Sequence, residues 1–209
     1  MCCSAQGLLV CALDTLEFMA EPKTAPLTER GLATRKKFTL ALADLLCSYS
    51  VSEITVKEIV VRAHSTRQTF YRYFTSKEDV LHALLAGLYD ECYDRVLNSG
   101  GTTFEEYLVA YFSFWHERYG RLRAIMQHNP HWLFNEVAYT YNRRFYPKVK
   151  GLWATELLDE QGEQYFQNFI FGGLAHVHAT WFAQGCTQSP EDMAHYVAQC
   201  WTIYKHPED

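Results

Sequence analysis

Four consecutive residues, Thr66, Arg67, Gln68 and Thr69, combine the side-chain groups that recognise DNA bases. Arginine can pair bidentately with guanine and glutamine with adenine, whereas threonine bonds to phosphate or meets the methyl group of thymine. A short helix that begins at these residues fits the width of the major groove and would turn their side chains towards the base edges. The pattern therefore indicates binding to double-stranded DNA.

Residues on either side of this segment are predicted to hold the DNA backbone. Tyrosine hydroxyls and basic side chains form hydrogen bonds with phosphate oxygens, and the first turn of a helix adds backbone N–H groups that attract an anion. The aromatic rings of Phe70 and Phe74 are expected to pack a small core behind the helix. The predicted backbone contacts are Arg35, Lys36, Thr55, Tyr71, Arg72, Tyr73 and Lys77.

The distribution of charge favours a polyanionic partner for one part of the chain. The whole chain of 209 residues has a net charge of −5. Residues 30–77 contain nine basic and three acidic residues, a balance of +6, so the rest of the chain carries −11. A basic module on an acidic body is typical of a protein that meets nucleic acid at one end only.

Apolar residues recur at intervals of three and four along most of the sequence, which predicts helices. The residues expected to contact DNA are therefore positioned by helices. Thr55 and Glu58 form a T-x-x-E capping box, Thr66 can cap a short helix, and Thr75 and Glu78 form a second box before a long helix. The sequence therefore predicts an all-α fold. Helices are expected at about residues 29–48, 55–63, 67–73, 77–98, 103–119, 121–128, 131–150, 163–184 and 190–204.

Two short helices behind a longer one predict an N-terminal three-helix helix-turn-helix domain at residues 29–76. A C-terminal helical bundle for ligand binding and dimerisation would follow at residues 77–209, with residues 77–98 as the connecting helix. Pro147 is expected to kink or shorten a later helix. Residues 1–28 are expected to form a poorly ordered N-terminal extension, in which Met19 could be the biological start.

The run from Thr69 to Asp79, TFYRYFTSKED, resembles the signature of the TetR family of bacterial transcriptional regulators. TVKEI at residues 55–59 is similar to the start of the family's second helix, and FGG at 171–173 with SPED at 189–192 is similar to its final helix pair. The resemblance implies a homodimer joined through the last two helices. It also implies two helix-turn-helix heads on a near-palindromic operator and a small-molecule effector that releases a repressor from DNA.

The turn departs from this family pattern. His64 and Ser65 stand where the family usually has Gly and Val, and Gln68 stands where a small residue is common. A left-handed turn conformation costs histidine more than glycine, although histidine is among the residues that tolerate it. Two alternatives stay open: a helical interaction protein that keeps the fold without specific DNA binding, and a transcriptional activator, because the sequence does not fix the sign of regulation.

Large, partly polar side chains in the C-terminal bundle are candidates for binding the effector. Aromatic residues make up 15% of the chain, which is more than a plain core requires and leaves room for an aromatic-lined cavity. An apolar or aromatic effector is favoured, although each candidate also fits an ordinary bundle core. The candidates are Tyr111, Trp115, Trp132, Tyr139, Phe169 and His176.

Sequence signatures of an enzyme or a metalloprotein are missing. His116 and Glu117 begin like the zinc motif H-E-x-x-H, but the second histidine is not there. His176 and His178 would fall on different faces of a helix, and the seven cysteines contain no C-x-x-C pair. No apolar run has the length of a membrane span or the charged flank of a signal peptide. We therefore expect no catalytic residue, metal or cofactor, no membrane partner, and a cytoplasmic location.

Overall fold

The computed structural model describes residues 28–129, 132–152 and 158–205, without the side chains of 132–136, 139, 152 and 201–205. These ranges form eight α-helices and no strand, which confirms the all-α fold. The helices are α1 Glu29–Leu46, α2 Val56–Arg62, α3 Arg67–Tyr73, α4 Lys77–Leu97, α5 Phe104–His128, α6 Trp132–Val149, α7 Glu160–Ala183 and α8 Pro190–Lys205. Pro147 lies inside α6, which ends two residues later at Val149 and is followed by a 3-10 turn, Lys150–Leu152.

The chain divides into two compact units, residues 1–34 and 35–209. The described part of the first unit is the start of α1, where the Thr28 hydroxyl accepts a hydrogen bond from the Gly31 N–H at 3.2 Å. Apart from Thr28, the predicted extension of residues 1–28 lies outside the described residues.

Three phenylalanines form the centre of the small core behind α3. Phe38 of α1 is fully buried, and its ring centroid lies 5.4 Å from that of Phe70 and 6.0 Å from that of Phe74, edge-on in both cases. Such edge-to-face pairs add to the free energy of burying the rings. The expectation that Phe70 and Phe74 are core residues is therefore confirmed.

Side-chain caps fix where the short helices begin. Thr55 accepts a hydrogen bond from the Glu58 N–H at 3.3 Å, and Glu58 Oε2 accepts one from the Thr55 N–H at 2.8 Å, so the predicted box is present. The second box is displaced by one residue. Ser76, not Thr75, caps α4 by accepting from the Asp79 N–H at 3.2 Å. Asp79 accepts from the Thr75 N–H at 3.0 Å, which leaves Glu78 outside the cap.

The bundle is built on α4 and α5. Helix α4 packs against α5 and α6, α5 packs against α8, and α6 packs against α7. The two helices expected at about 103–119 and 121–128 are one continuous helix, because Gly120 does not interrupt α5. A glycine inside a helix costs about 1 kcal/mol relative to alanine, and burial of Leu122 and Ile125 on the far side of Gly120 outweighs that cost.

A buried amide joins the end of α5 to the connection between α1 and α2. Asn129 is 3% exposed, and its Oδ1 accepts a hydrogen bond from the Val51 N–H at 2.8 Å. Its Nδ2 donates to Ile125 O at 2.9 Å, and to Leu46 O and Tyr49 O at 3.4 and 3.3 Å.

Within the described ranges, no helix is long and apolar enough to cross a bilayer.

Candidate nucleic-acid interface and effector cavity

The turn between α2 and α3 has a left-handed residue at His64, where φ is +48°. The following Ser65 N–H donates to Val60 O at 3.0 Å, and the His64 N–H donates to Val61 O at 3.1 Å. These bonds satisfy the last carbonyls of α2 in the way that a glycine usually allows at this position. The chain therefore makes the turn without glycine, at the conformational cost that a left-handed histidine carries.

Helix α3 is anchored by one buried ring and exposes its polar residues. Phe70 is fully buried, whereas Arg67, Gln68, Tyr71 and Arg72 are exposed. Because Phe70 fixes the rotation of the helix, Arg67 and Gln68 are held on the outer side of the first turn. This is the arrangement that reading base edges requires.

The two threonines of this segment have a structural task as well. Thr66 caps α3 by accepting a hydrogen bond from the Thr69 N–H at 3.1 Å, as the sequence predicted. The two hydroxyl oxygens lie 2.9 Å apart and share a hydrogen bond. One proton and two lone pairs of this hydroxyl pair remain for a phosphate or a base.

Exposed basic residues lie on each of the helices α1, α2 and α3, which together form the N-terminal head. Lys36 of α1, Lys57 of α2, and Arg67 and Arg72 of α3 are exposed, and among the described residues none of these four forms an ion pair. Cations without acidic partners keep their positive potential for a polyanion. Arg62 differs, since it lies 3.5 Å from the Asp44 carboxylate.

Lys77, predicted to contact phosphate, bonds to the protein's own backbone. Its Nζ donates to Val51 O at 2.7 Å, Ser52 O at 3.1 Å and Ile54 O at 2.8 Å. An ammonium group has three donors, so these carbonyls engage all of them. The first residue of α4 thus fixes the connection between α1 and α2.

Arg35 and Thr55, also predicted to contact DNA, have partners within the head. The Arg35 guanidinium donates to Tyr73 O at 3.1 Å and lies 4.4 Å from the centroid of the Phe74 ring. It therefore holds the end of α3. The Thr55 hydroxyl is exposed and donates to Glu58 Oε2 at 2.7 Å, and these hydrogen bonds lower the pKa of the Glu58 carboxyl. Tyr73 is half-buried against the core.

The bundle contains an outer cavity of about 210 Å³ whose walls are almost entirely apolar. It lies between the second half of α4, the first half of α5, the end of α6, and helices α7 and α8. Its walls include Val96, Leu108, Phe145, Ile170 and Val177. A cavity with this lining favours an apolar group.

A smaller inner cavity of about 30 Å³ shares Tyr111, Phe171 and Leu174 with the outer one. Polar atoms from α4 to α7 reach its walls. The Tyr93 hydroxyl, at the edge of the outer cavity, donates to Oδ1 of Asn142, which lines the inner one. Burial raises the pKa of the Tyr93 and Tyr111 phenols well above the ordinary value.

The predicted effector residues are distributed unevenly around these cavities. Tyr111 and Trp115 are buried and line the inner cavity, and Phe169 lines the outer one although its side chain is largely exposed. His176 lines neither and borders a separate depression on α7 and α8. The side chains of Trp132 and Tyr139 lie outside the described part of the chain.

Sequence reasoning missed Asn142 and His178 as cavity residues. Asn142 stands on α6 and His178 on α7, and both line the inner cavity. The His178 ring lies 5.1 Å from the Trp115 ring between centroids. Apolar residues at helical spacing around Asn142 and His178 indicate that both lie near the bundle core. That pattern does not show which helices face each other, so it could not identify them as cavity residues.

Two family models match the chain. The model of bacterial regulatory proteins of the tetR family matches residues 42–84, and a model of a transcriptional regulator C-terminal region matches residues 102–201. The first match covers the turn and α3, and the second covers most of the bundle. No curated protein matches the sequence.

Several solved structures share the fold. The fatty acid degradation regulator FadR from Bacillus halodurans is 22% identical, with 85% of this chain and 95% of that chain covered and a TM-score of 0.55. A TetR transcriptional regulator from Streptococcus agalactiae 2603V is 23% identical, covering 81% and 93%, with a TM-score of 0.58. FadR from Bacillus subtilis, solved in complex with stearoyl-CoA, is 18% identical, covering 78% and 95%, with a TM-score of 0.55.

Proposed function

Because this chain belongs to the TetR family of bacterial transcriptional regulators, we propose that it is a homodimeric repressor that a small molecule releases from a near-palindromic operator. The observation that carries the proposal is the first turn of α3. There Arg67 and Gln68 are exposed without an acidic partner among the described residues, on a helix fixed by the fully buried Phe70.

In the proposed complex α3 enters the major groove. Arg67 pairs with guanine and Gln68 with adenine, while Tyr71 and Arg72 on the same exposed helix contact phosphate. Lys36 and Lys57 add contacts to the DNA backbone from α1 and α2. A helical interaction protein that does not bind DNA would not require four exposed cations on α1, α2 and α3 that form no ion pair among the described residues.

A second copy of the chain would cover helices α7 and α8. Tyr165 and Phe169, one turn apart on α7, are 65% and 63% exposed, and Tyr196 on α8 is 54% exposed. Large exposed aromatic residues on neighbouring elements mark interaction surfaces. With two heads related by a two-fold axis, the half-sites of the operator would lie about one helical turn of DNA apart, or roughly 34–36 Å.

Helix α4 provides the route from the effector to the head. Tyr89, Tyr93 and Val96 of α4 line the cavities, and Lys77 at its start bonds to the α1–α2 connection. A ligand that prefers one position of α4 therefore changes the population of heads that fit DNA. The stearoyl-CoA found with the Bacillus subtilis FadR is consistent with a bundle of this fold accepting a long apolar chain.

Selection from a randomised DNA pool tests the proposal. The purified protein is incubated with the pool at near-physiological salt, and the bound duplexes are sequenced. We expect a two-fold-symmetric site for the wild type and a changed preference at one position of each half-site for Arg67→Ala. If the folded protein enriches no sequence, specific DNA binding is wrong. Reporter expression with and without the regulator then shows whether it represses or activates.

A further inference from the structure

We propose that the effector is an elongated, uncharged molecule with an apolar chain and one buried hydrogen-bond acceptor, such as an ester or ketone carbonyl. The chain fills the outer cavity, and the acceptor binds the indole N–H of Trp115 in the inner cavity. The inference rests on the proposed function only in taking the bundle as the effector-binding part of the protein.

The outer cavity determines the apolar part of the molecule. Its described walls contain aliphatic and aromatic side chains and neither a basic nor an acidic residue. A chain of methylene groups that enters this space leaves water for an apolar surrounding, which is the main source of affinity in such a site. A compact polar molecule would lose its bonds to water and gain none from these walls.

The indole N–H of Trp115 determines the acceptor. Trp115 is 4% exposed, and its Nε1 has no hydrogen-bond partner among the described residues. Burial raises the pKa values of the Cys92 thiol and the Tyr111 hydroxyl, and a weak contact from this N–H opposes the rise, but neither contact has hydrogen-bond geometry. Buried donors without a partner are rare and costly, so a carbonyl that supplies the missing bond gains affinity.

The two cavities are adjacent, and the proposed molecule extends from one into the other. Tyr111, Phe171 and Leu174 belong to both walls. Among the described residues, no lysine, arginine, aspartate or glutamate lines either cavity. A carboxylate or ammonium drawn into this space would lose its hydration without an opposite charge in return. The part of the effector that reaches Trp115 is therefore uncharged.

Isothermal titration calorimetry with two probes of equal chain length tests the inference without DNA. We expect the wild type to bind methyl decanoate at least about tenfold more tightly than decanoate at neutral pH, because only the ester avoids an uncompensated buried charge. Equal binding, or tighter binding of decanoate, would overturn the inference and would point to His178 as a partner for a carboxylate.

Two substitutions assign the two ends of the probe. Trp115→Phe keeps an aromatic ring but removes the N–H, and we expect it to weaken methyl decanoate by about tenfold. Gly173 is an exposed residue at the edge of the outer cavity, and a Cβ at this position meets nothing within 4 Å, so Gly173→Leu narrows the opening of the cavity. We expect this variant to abolish binding of methyl decanoate.

Each substitution has a matched control outside the two cavities. Trp181→Phe removes an indole N–H that donates to Gln188 O at 3.2 Å, and Gly120→Leu adds the same side chain on the exposed side of α5. Both should leave the affinity for methyl decanoate unchanged. Unaltered binding by Trp115→Phe or Gly173→Leu, with a wild-type circular dichroism spectrum, would contradict the assignment of that end.

The calorimetric and DNA experiments fail independently. If methyl decanoate binds but does not release the operator, the cavity assignment holds and ligand-controlled repression is wrong. If the protein selects an operator but binds neither probe, the cavity assignment is wrong and the DNA-binding function stands.

Discussion

Replacing Lys77 by methionine separates two roles that this residue could have. A phosphate anchor would affect only DNA binding, whereas the structure gives its ammonium group three carbonyl partners, Val51 O, Ser52 O and Ile54 O. Methionine keeps most of the aliphatic stem and removes the charge and all three donors. We expect Lys77→Met to destabilise the protein, because the α1–α2 connection loses its central hydrogen-bond donor.

The size of the loss follows from the surroundings of the three hydrogen bonds. Those to Val51 O and Ile54 O are partly buried, and that to Ser52 O is exposed, so water can replace the ammonium group at Ser52. A hydrogen bond to a charged group contributes about 1.5–3 kcal/mol when it is shielded. Discounted for partial exposure, two such bonds predict a loss of about 2–4 kcal/mol in the free energy of unfolding.

Urea denaturation of Lys77→Met and of Lys57→Met provides the measurement and its control. Lys57 is an exposed lysine of the same head without an ion pair in the described residues, so its replacement should change the free energy of unfolding by less than about 0.5 kcal/mol. The reasoning is refuted if Lys77→Met is as stable as the wild type. It is also refuted if the logarithmic salt dependence of operator binding falls by about 0.9 for each lost contact, the signature of a phosphate anchor.

Three further substitutions test the local energetics. Asn129→Ala should cost about 1–3 kcal/mol in urea denaturation, because the partly buried Val51 N–H loses its acceptor and Ile125 O loses a buried donor; a loss below about 0.5 kcal/mol would contradict this. Gly120→Ala should raise the free energy of unfolding by about 1 kcal/mol, since its Cβ meets nothing within 4 Å inside a continuous helix. His64→Gly should raise the thermal midpoint, because glycine adopts φ of +48° without steric cost; a lower midpoint would show that the His64 side chain stabilises the turn.

The head could be predicted from the sequence wherever the determinants are local. Thr55 with Glu58, and Thr66 with Thr69, cap their helices within one turn, and the aromatic spacing identified Phe70 as core. The box before α4 was misplaced by one residue. Thr75 and Ser76 can both cap, and the choice depends on the hydrogen bonds that Asp79 makes.

The roles of Lys77, Arg35 and Asn129 could not be predicted, because their partners are backbone carbonyls and amides more than 20 residues away. The same applies to the cavities. Aromatic content suggested a cavity in the bundle and identified Tyr111 and Trp115, but Asn142 and His178 reach it only through the packing of α6 and α7. Side-chain type alone did not exclude His176, which lies on another face of α7.

The base preference of Arg67→Ala tests the central claim most directly. The dissociation constants of the wild type and the variant are measured at one salt concentration, for the selected operator and for each single-base substitution in a half-site. We predict that the variant loses about 1–3 kcal/mol on the selected operator and becomes indifferent to the base at one position, while it keeps its preferences elsewhere. Uniformly weaker binding with every preference retained would show that Arg67 holds the DNA backbone, and would contradict the assignment of the first turn of α3 as the part that reads the sequence.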